Sequence, residues 1–413
     1  MMKADVLHCD ANNFYASVEI VKNPSLRGKN LAVCGDPKKR HGIVLAKSEG
    51  AKKCGVKTGQ TIREAQALCP DLILLEPDFP SYVKFSKALF AIYTSYTDRV
   101  ESFGLDECWL DVSGSHTLFG SSERIAEEIR RRAREELGIT LSVGISFTKV
   151  FAKLGSDYKK PDAQTLISPE NYREIAWELP VEDILMVGAS AKEFFKSIGI
   201  HTIGDLARAD VKLLSAKIGQ MAITLKKWAN GEEDDPVKLY YETRKPESVG
   251  NGSTADHDLR TREECAELIT SLSESVATRL RRHSLFAGGV HLSVKFNNLH
   301  SVGKQSFLSF PTASATDLKD KAVQLLDYLW REKESLPVRT ITVTAIHLIE
   351  QGDFIPSTLF EEEALSEKRT RFEKSVDAIR QKYGFGSITR GTLLKTEEQN
   401  EEYGEEAKPF QRK

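Results

Sequence analysis

Residues 7–19 read LHCDANNFYASVE, an apolar run that ends on an acidic residue and is followed by a polar turn. The apolar residues Val6–Cys9 predict a short strand. Asp10 closes that strand, and the aromatic pair Phe14–Tyr15 comes after the turn. Asp10 is therefore the first candidate site residue, placed at the end of a strand.

A second acidic position lies in residues 102–111, SFGLDECWLD. The stretch Val100–Val112 predicts two strands around a tight turn that carries Asp106 and Glu107. Asp10 can meet this pair only if the strands are neighbours in one sheet. Three clustered carboxylates resist joint ionisation, and two Mg²⁺ ions about 3.5–4 Å apart would remove that cost. Spacing alone leaves a second interpretation open, in which these are ordinary turn acids.

The first half of the chain alternates strands with amphipathic helices. This order, βαββαβ with a central hairpin, predicts a ferredoxin-like α+β fold. Besides the two stretches above, the predicted elements are strands Leu31–Cys34, Ile43–Leu45 and Leu141–Ser146 and helices Pro80–Tyr96, Ser122–Glu136 and Phe147–Tyr158.

The second half has a different organisation. Residues 168–231 predict short helices punctuated by glycines, and a polar stretch follows. After Val249 we expect a separate α+β domain, which includes an alternating strand over Val290–Phe296. The acidic tail predicts disorder.

Composition limits the cell compartment and the class of protein. A chain of 413 residues with 40% hydrophobic and 29% charged residues indicates two to four globular domains. We see neither a signal peptide nor an apolar run long enough for a membrane span. The six cysteines form no C-x-x-C pair, which favours a reduced, cytoplasmic protein.

Three segments, in order, carry a family resemblance: LHCDANNFYASVE, SFGLDECWLD and VGISFTKVFAKLGSDYKKP, the last beginning at Val143. The chain resembles the Y-family DNA polymerases of the DNA polymerase IV type, from residue 4 to about residue 390. The resemblance implies an α+β multidomain, right-hand polymerase. Its parts would be a ferredoxin-like palm (1–13 and 77–167), small fingers (14–76), a helical thumb (168–234), a linker (235–246), an α+β little finger (247–350), a C-terminal extension (351–395) and an acidic tail (396–413).

The resemblance also implies roles for the residues around the carboxylates. Asp10, Asp106 and Glu107 would be catalytic and, with the backbone carbonyl of Ala11, would hold two Mg²⁺ ions. Tyr15 would be a steric gate that excludes the 2′-hydroxyl of a ribonucleotide. The remaining residues expected to contact the nucleotide are Asn12, Asn13, Phe14, Lys52 and Lys160.

The fingers segment departs from the family pattern. The family usually has Thr, Tyr and Arg where this chain has Ala46, Glu49 and Lys52. Lys52 can still neutralise phosphate, whereas Ala46 donates nothing and Glu49 is negative. Lys47 could compensate from the same loop.

Contacts with DNA and with a sliding clamp are implied as well. Gly188, Ser190 and Lys192 lie in a segment that resembles a helix–hairpin–helix, whose turn presents N–H groups to a DNA phosphate. In the little finger, His291 and Lys295 would face the duplex. Leu359 and Phe360 keep part of the clamp-binding peptide. The alternative clamp peptide, QSFLSF over Gln305–Phe310, falls within a predicted strand.

We therefore expect a monomeric, magnesium-dependent DNA polymerase that uses primer–template DNA and dNTPs. Low-fidelity translesion synthesis is the leading hypothesis. A catalytically inactive adaptor for DNA and the clamp is the alternative, although such proteins lose their metal carboxylates. A nucleotidyl cyclase would need neither the helix–hairpin–helix nor the C-terminal domain.

Overall fold

The computed structural model describes residues 5–36, 42–242, 245–331, 336–350 and 361–391. These residues divide between two units, with the boundary at 243–244. The first unit holds the predicted palm, fingers and thumb, and the second holds the predicted little finger. No helix in the described ranges combines the length and the apolar character that crossing a membrane requires.

The palm of the first unit is a five-stranded sheet in the order β5-β6-β1-β7-β8. Its strands are β1 Val6–Ala11, β5 Val100–Ser102, β6 Glu107–Asp111, β7 Leu141–Ser146 and β8 Gln164–Ile167. The central strand β1 pairs antiparallel with both β6 and β7, which confirms the predicted βαββαβ arrangement. The fifth strand, β8, pairs parallel to β7 and was not predicted, because only Leu166 and Ile167 of its four residues are apolar.

Alternation along β1 separates two helical layers. Leu7 and Cys9 face a core built with helices α1, α4 and α6, whereas His8 points to the opposite layer, against α7. The helices are α1 Phe14–Lys22, α4 Phe79–Thr94, α5 His116–Phe119, α6 Ser122–Leu137 and α7 Lys149–Tyr158. Since Phe14 is buried in that core, α1 packs as part of the palm, although the sequence assigned it to the fingers.

A glycine allows α7 to lie directly on the sheet. A Cβ atom on Gly144 of β7 would come within 1.8 Å of the carbonyl oxygen of Ala152 and 2.4 Å of the amide nitrogen of Ser156. Because both obstacles are backbone atoms, any larger residue would push α7 away from β7. The glycine thus sets the distance between α7 and the strands that carry the acidic residues.

The fingers form a three-stranded sheet in the order β3-β2-β4 with two short helices. The elements are β2 Leu31–Cys34, β3 Val44–Lys47, α2 Glu49–Lys53, α3 Ile62–Leu68 and β4 Ile73–Leu75. Their core is small and consists of Val and Ala side chains with Cys69 and Leu72.

The thumb is helical, as predicted. It contains α8 Tyr172–Ile175, α9 Ala189–Ser197, α10 Ile203–Arg208, α11 Val211–Ile218 and α12 Met221–Ala229. The chain then returns to the palm: Asp235 accepts a hydrogen bond from Lys149 at 2.5 Å, and Lys238 lies 3.1 Å from Glu101. Val237 is buried. Residues 235–242, predicted as a linker, are therefore held against the palm by the buried Val237 and by ion pairs whose palm partners, Lys149 and Glu101, are buried.

The second unit is a four-stranded sheet, β11-β10-β12-β9, with helices on one face. Its elements are β9 Ser248–Leu259, α13 Arg262–Arg282, β10 Leu285–Phe296, β11 Ser301–Thr312, α14 Ala315–Leu329, β12 Val338–Glu350 and α15 Glu361–Tyr383. The predicted alternation in β10 is confirmed, since Val290, Leu292 and Val294 are buried against the helices. Strand β9 was not predicted, because its glycines and polar residues hide the period of two.

Helix α15 was not predicted and packs beside α13 and α14. Arg281 of α13 lies 2.6 Å from both Glu373 and Asp377 of α15. Arg380 lies 3.0 Å from Glu274, and the side chains of both pairs, Arg281–Glu373 and Arg380–Glu274, are at most 10% exposed. Buried charges persist only when they are paired, so this helix is an integral part of the second unit.

Candidate active site

Sheet register brings the acidic residues together. Asp10 on β1 pairs directly with Glu107 on β6, and the amide of Ala11 donates to the carbonyl oxygen of Asp106 at 3.0 Å. Directly opposed residues of an antiparallel pair project their side chains to the same face. The predicted meeting of the strand end with the hairpin is therefore the observed arrangement.

The ligand atoms of Asp10, Glu107 and His8 all lie within 4.8 Å of one another. The side chain of Asp106 is not part of this tight group, but its charge interacts with both Asp10 and Glu107. His8 was missed by the sequence analysis. Its position two residues before Asp10, on the same face of β1, is the signal that could have identified it.

His8 is fully buried and orients Glu107. Its Nδ1 lies 2.8 Å from Ser156 Oγ of α7, and its Nε2 lies 3.2 Å from Glu107 Oε2. Burial lowers the pKa of His8 to about 4, so the ring is neutral. His8 therefore lies between α7 and Glu107 and packs against this carboxylate, in the position of residues that support a metal ligand.

Among Asp10, Asp106 and Glu107, only Glu107 has a pKa below its usual value. Burial raises its pKa, but the contact with His8 and the charge of Lys153 outweigh burial and lower the pKa to about 2. Lys153 forms an ion pair with Glu107. Glu107 is therefore ionised and fixed over the whole physiological range.

Asp10 and Asp106 carry charge that the protein compensates only in part. Burial, with the charge of Glu107, raises the pKa of Asp106 to about 7. Burial also raises the pKa of Asp10 to about 6, despite Lys160, whose Nζ lies 2.6 Å from Asp10 Oδ2. Oxygen donors with unbalanced negative charge are what Mg²⁺ and similar hard cations prefer. The residues therefore fit a divalent cation site.

The predicted steric gate stands beside these acids. Tyr15 is half-buried, and its ring stacks on Tyr82 with centroids 4.2 Å apart and an interplanar angle of 11°. Burial and the nearby Asp106 both raise its pKa. The flat contact with Tyr82 leaves the Tyr15 ring little freedom to move aside.

The side chains of Asn12 and Phe14, two of the predicted nucleotide contacts, make their contacts within the palm. The Asn12 amide donates to Thr140 Oγ1 at 3.1 Å and accepts from Ser142 at 2.9 Å, and Phe14 is buried. Only their backbone groups remain to meet a ligand. Lys52 is exposed on α2, while Asn13 contacts Glu49.

The predicted helix–hairpin–helix forms an exposed turn. Gly188 is the N-cap of α9, with extended backbone, and no side chain in the described part of the thumb caps this helix end. Ser190 is exposed, and Lys192 lies 2.6 Å from Glu182. Uncapped N–H groups at the start of a helix suit a phosphate.

In the second unit, His291 and Lys295 lie on the sheet face away from the helices, opposite Thr344 and Thr340 of β12. Residues 305–310 lie within the paired strand β11, so they are not a free peptide. Leu359 and Phe360 fall outside the described residues.

Two family models match the chain. The impB/mucB/samB family matches residues 9–157, and the C-terminal domain of the same family matches residues 246–355. The first span contains the carboxylates, and the second contains the four-stranded sheet.

Curated relatives match nearly the full length. The DNA polymerase IV of Acetivibrio thermocellus is 44% identical over 95% of this chain and 98% of its own. DNA polymerase IV 1 of Bacillus subtilis is 35% identical over 95% of this chain and 94% of its own. In fold, a Y-family DNA polymerase chimera superposes with a TM-score of 0.74 at 24% identity, over 84% of this chain and 100% of its own. The chain therefore belongs to the Y-family DNA polymerases of the DNA polymerase IV type and is a DNA-directed DNA polymerase.

Proposed function

We propose that this polymerase performs low-fidelity translesion synthesis and that two Mg²⁺ ions assist nucleotidyl transfer from a dNTP to the primer 3′-hydroxyl. The observation that carries the proposal is the pairing of Asp10 with Glu107, beside Asp106. The pKa of Asp106 is raised to about 7 by burial and by these neighbouring charges. A cluster of this kind is costly unless cations neutralise it.

Each residue of the site would have its own part in this reaction. Asp10, Asp106, Glu107 and the carbonyl of Ala11 would hold the ions, which stabilise the attacking and leaving oxygens of an in-line transfer. His8 and Lys153 keep Glu107 oriented and ionised. Lys160, paired with Asp10 and Asp157, would exchange these carboxylates for the triphosphate.

Tolerance of damaged templates follows from the small fingers. They consist of one three-stranded sheet with helices of five and seven residues around a small core. A domain this small can enclose little of the nascent base pair. The enzyme would therefore discriminate poorly between correct and incorrect base-pair shapes.

DNA would be held by sequence-independent contacts. The N–H groups of the exposed turn at Gly188 and Ser190 would bind one phosphate, with Lys192 nearby. His291 and Lys295 would follow the backbone along the open sheet face. Such contacts weaken steeply with salt, because binding releases counterions.

The proposal has three further parts. The protein would bind the sliding clamp through Leu359 and Phe360, would act as a monomer and would work in the cytoplasm.

The raised pKa values predict how metal affinity depends on pH. Asp10 and Asp106, with pKa values of about 6 and 7, must lose their protons to bind a cation. Affinity for Mn²⁺, measured by electron paramagnetic resonance, should be constant above pH 8. It should fall below pH 7 by about tenfold per pH unit for each proton displaced. Equal affinity at pH 8 and pH 5.5 would contradict these carboxylates as the ligands.

Replacement of Asp106 tests the reaction itself. Asp106→Asn removes one metal ligand with little change in shape, so primer extension with Mg²⁺ on undamaged and abasic templates should fall by at least about 10³-fold. Asp98→Asn, at an exposed palm residue, is the matched control and should keep full activity. No extension by the wild-type protein would favour the inactive adaptor.

Replacement of Tyr15 tests sugar selection. Tyr15→Ala should admit ribonucleotides, with the ratio of kcat/KM for dNTP over rNTP falling by about 10²-fold or more, since removal of a steric barrier affects only the bulkier sugar. Tyr15→Phe keeps the ring and should keep the discrimination. An unchanged ratio in Tyr15→Ala would exclude Tyr15 as the gate.

A further inference from the structure

An exposed aromatic ring lies on the open sheet face of the second unit. Phe307 on β11 is 69% exposed, and it pairs directly with Gly289 on β10. Since Val290 is buried against the helices, alternation turns Gly289, and with it the opposed Phe307, to the face away from them. A single exposed aromatic residue is common on protein surfaces, so the ring indicates a site only together with a second feature.

The second feature is His347 of β12, whose imidazole stacks on Phe307. The ring centroids are 4.7 Å apart, and the ring planes differ by 19°. His347 has a left-handed backbone (φ 53°), although it lies inside a strand. This conformation costs free energy for a residue other than glycine and is concentrated at functional sites. The strand is therefore strained at the residue that supports the exposed ring.

Two glycines of β10 make room for the stacked rings. A Cβ atom on Gly288 would come within 2.9 Å of the carbonyl oxygen of His347, and one on Gly289 within 3.3 Å of His347 Cδ2. The imidazole therefore occupies the space that a side chain of the central strand would fill. Since Phe307 is mostly exposed, it still has surface free to stack on a further flat group.

The open face between Gly289 and Lys295 is free of negative charge. Its directly paired residues are Gly289, His291, Ser293 and Lys295 on β10, Phe307, Gln305, Gly303 and Ser301 on β11, and Ile346, Thr344, Thr342 and Thr340 on β12. None of these residues carries a carboxylate, and Lys295 carries a positive charge. A phosphate backbone is therefore attracted to this face.

A supported ring on such a face suits a nucleobase. Every base has a flat π surface, so stacking on an aromatic side chain accepts any sequence. In duplex DNA the neighbouring pairs already cover both surfaces of a base, so a base must be unpaired or flipped out before it can stack on protein. A DNA-directed polymerase encounters such bases continually, because it copies an unpaired template strand.

We propose that Phe307, supported by His347, is a stacking site for an unpaired base of single-stranded DNA. The inference rests on the proposed contact between this sheet face and DNA. It adds an aromatic contact that favours the single strand over the duplex, at the end of the face away from Lys295.

The test compares four variants of the full-length protein with the wild type. Phe307→Ala removes the ring, and Phe307→Trp keeps a flat ring. His347→Gly removes the imidazole and accepts the left-handed backbone without cost. Phe372→Ala is the matched control, because Phe372 of α15 is also 69% exposed but belongs to the helical layer. Fluorescence anisotropy gives the dissociation constants of a labelled single strand and of the matching duplex, and thermal melting checks folding.

Phe307→Ala should raise the dissociation constant of the single strand about fivefold or more, the size of one lost stacking contact. The constant for the duplex should change less than about twofold, and Phe307→Trp and Phe372→Ala should change neither constant more than that. His347→Gly should weaken single-strand binding about twofold or more without lowering the melting temperature.

Unchanged single-strand binding by folded Phe307→Ala would overturn the inference, and that result is expected if the ring contacts a partner protein instead. Equal losses for single strand and duplex, or the same loss in Phe372→Ala, would also overturn it. Lys295→Met keeps the two proposals apart, since it should reduce the slope of log affinity against log salt for the duplex by about one. That reduction with an unaffected Phe307→Ala leaves the proposed phosphate contact standing without the stacking site. A selective loss in Phe307→Ala with an unaffected Lys295→Met supports the stacking site without that phosphate contact.

Discussion

The antiparallel pairing of β1 with β6 places Asp10 directly opposite Glu107 and ties Ala11 to Asp106. Like charges this close oppose one another, and burial adds to the cost. Lys153, Lys160 and the adjacent His8 offset part of this electrostatic cost. The rest remains visible as the raised pKa values of Asp10 and Asp106. A site with this residual negative charge favours the binding of cations. The clustering of carboxylates at this end of the sheet therefore explains both the electrostatic cost and the chemistry of the site.

Helix α7 links the fold to that chemistry. It carries Lys153 and Ser156, and Lys160 follows its end, so one helix supplies the partners of Glu107, His8 and Asp10. The helix can approach only because Gly144 has no side chain. In the fingers, Ala46, Glu49 and Lys52 stand where the family usually has Thr, Tyr and Arg. The departure from the family pattern therefore lies in the fingers and not among the carboxylates of the palm.

Prediction from sequence succeeded where apolar residues were continuous or regularly spaced. Strands β1 and β2 follow from apolar runs, β7 from alternation, and helices α6 and α7 from helical spacing. Strand β4 has only three residues, β8 has only two apolar ones and β9 is interrupted by Gly250 and Gly252, so none of them stands out in the sequence. Helix α15 and residues 235–242 depend on charge pairs between distant segments, such as Arg281 with Glu373, which no local pattern encodes. His8 was within reach, but a lone histidine in an apolar strand shows its role only once Glu107 and Ser156 are placed around it.

The assignment of two cations to these carboxylates is tested most directly by the anomalous scattering of Mn²⁺ in crystals of the enzyme with primer–template DNA and a non-hydrolysable dNTP analogue. Two manganese peaks about 3.5–4 Å apart are expected. Asp10, Asp106, Glu107 and the carbonyl of Ala11 should be the protein groups beside these peaks. A single peak, or peaks away from these carboxylates while the nucleotide is bound beside Tyr15, would contradict this assignment.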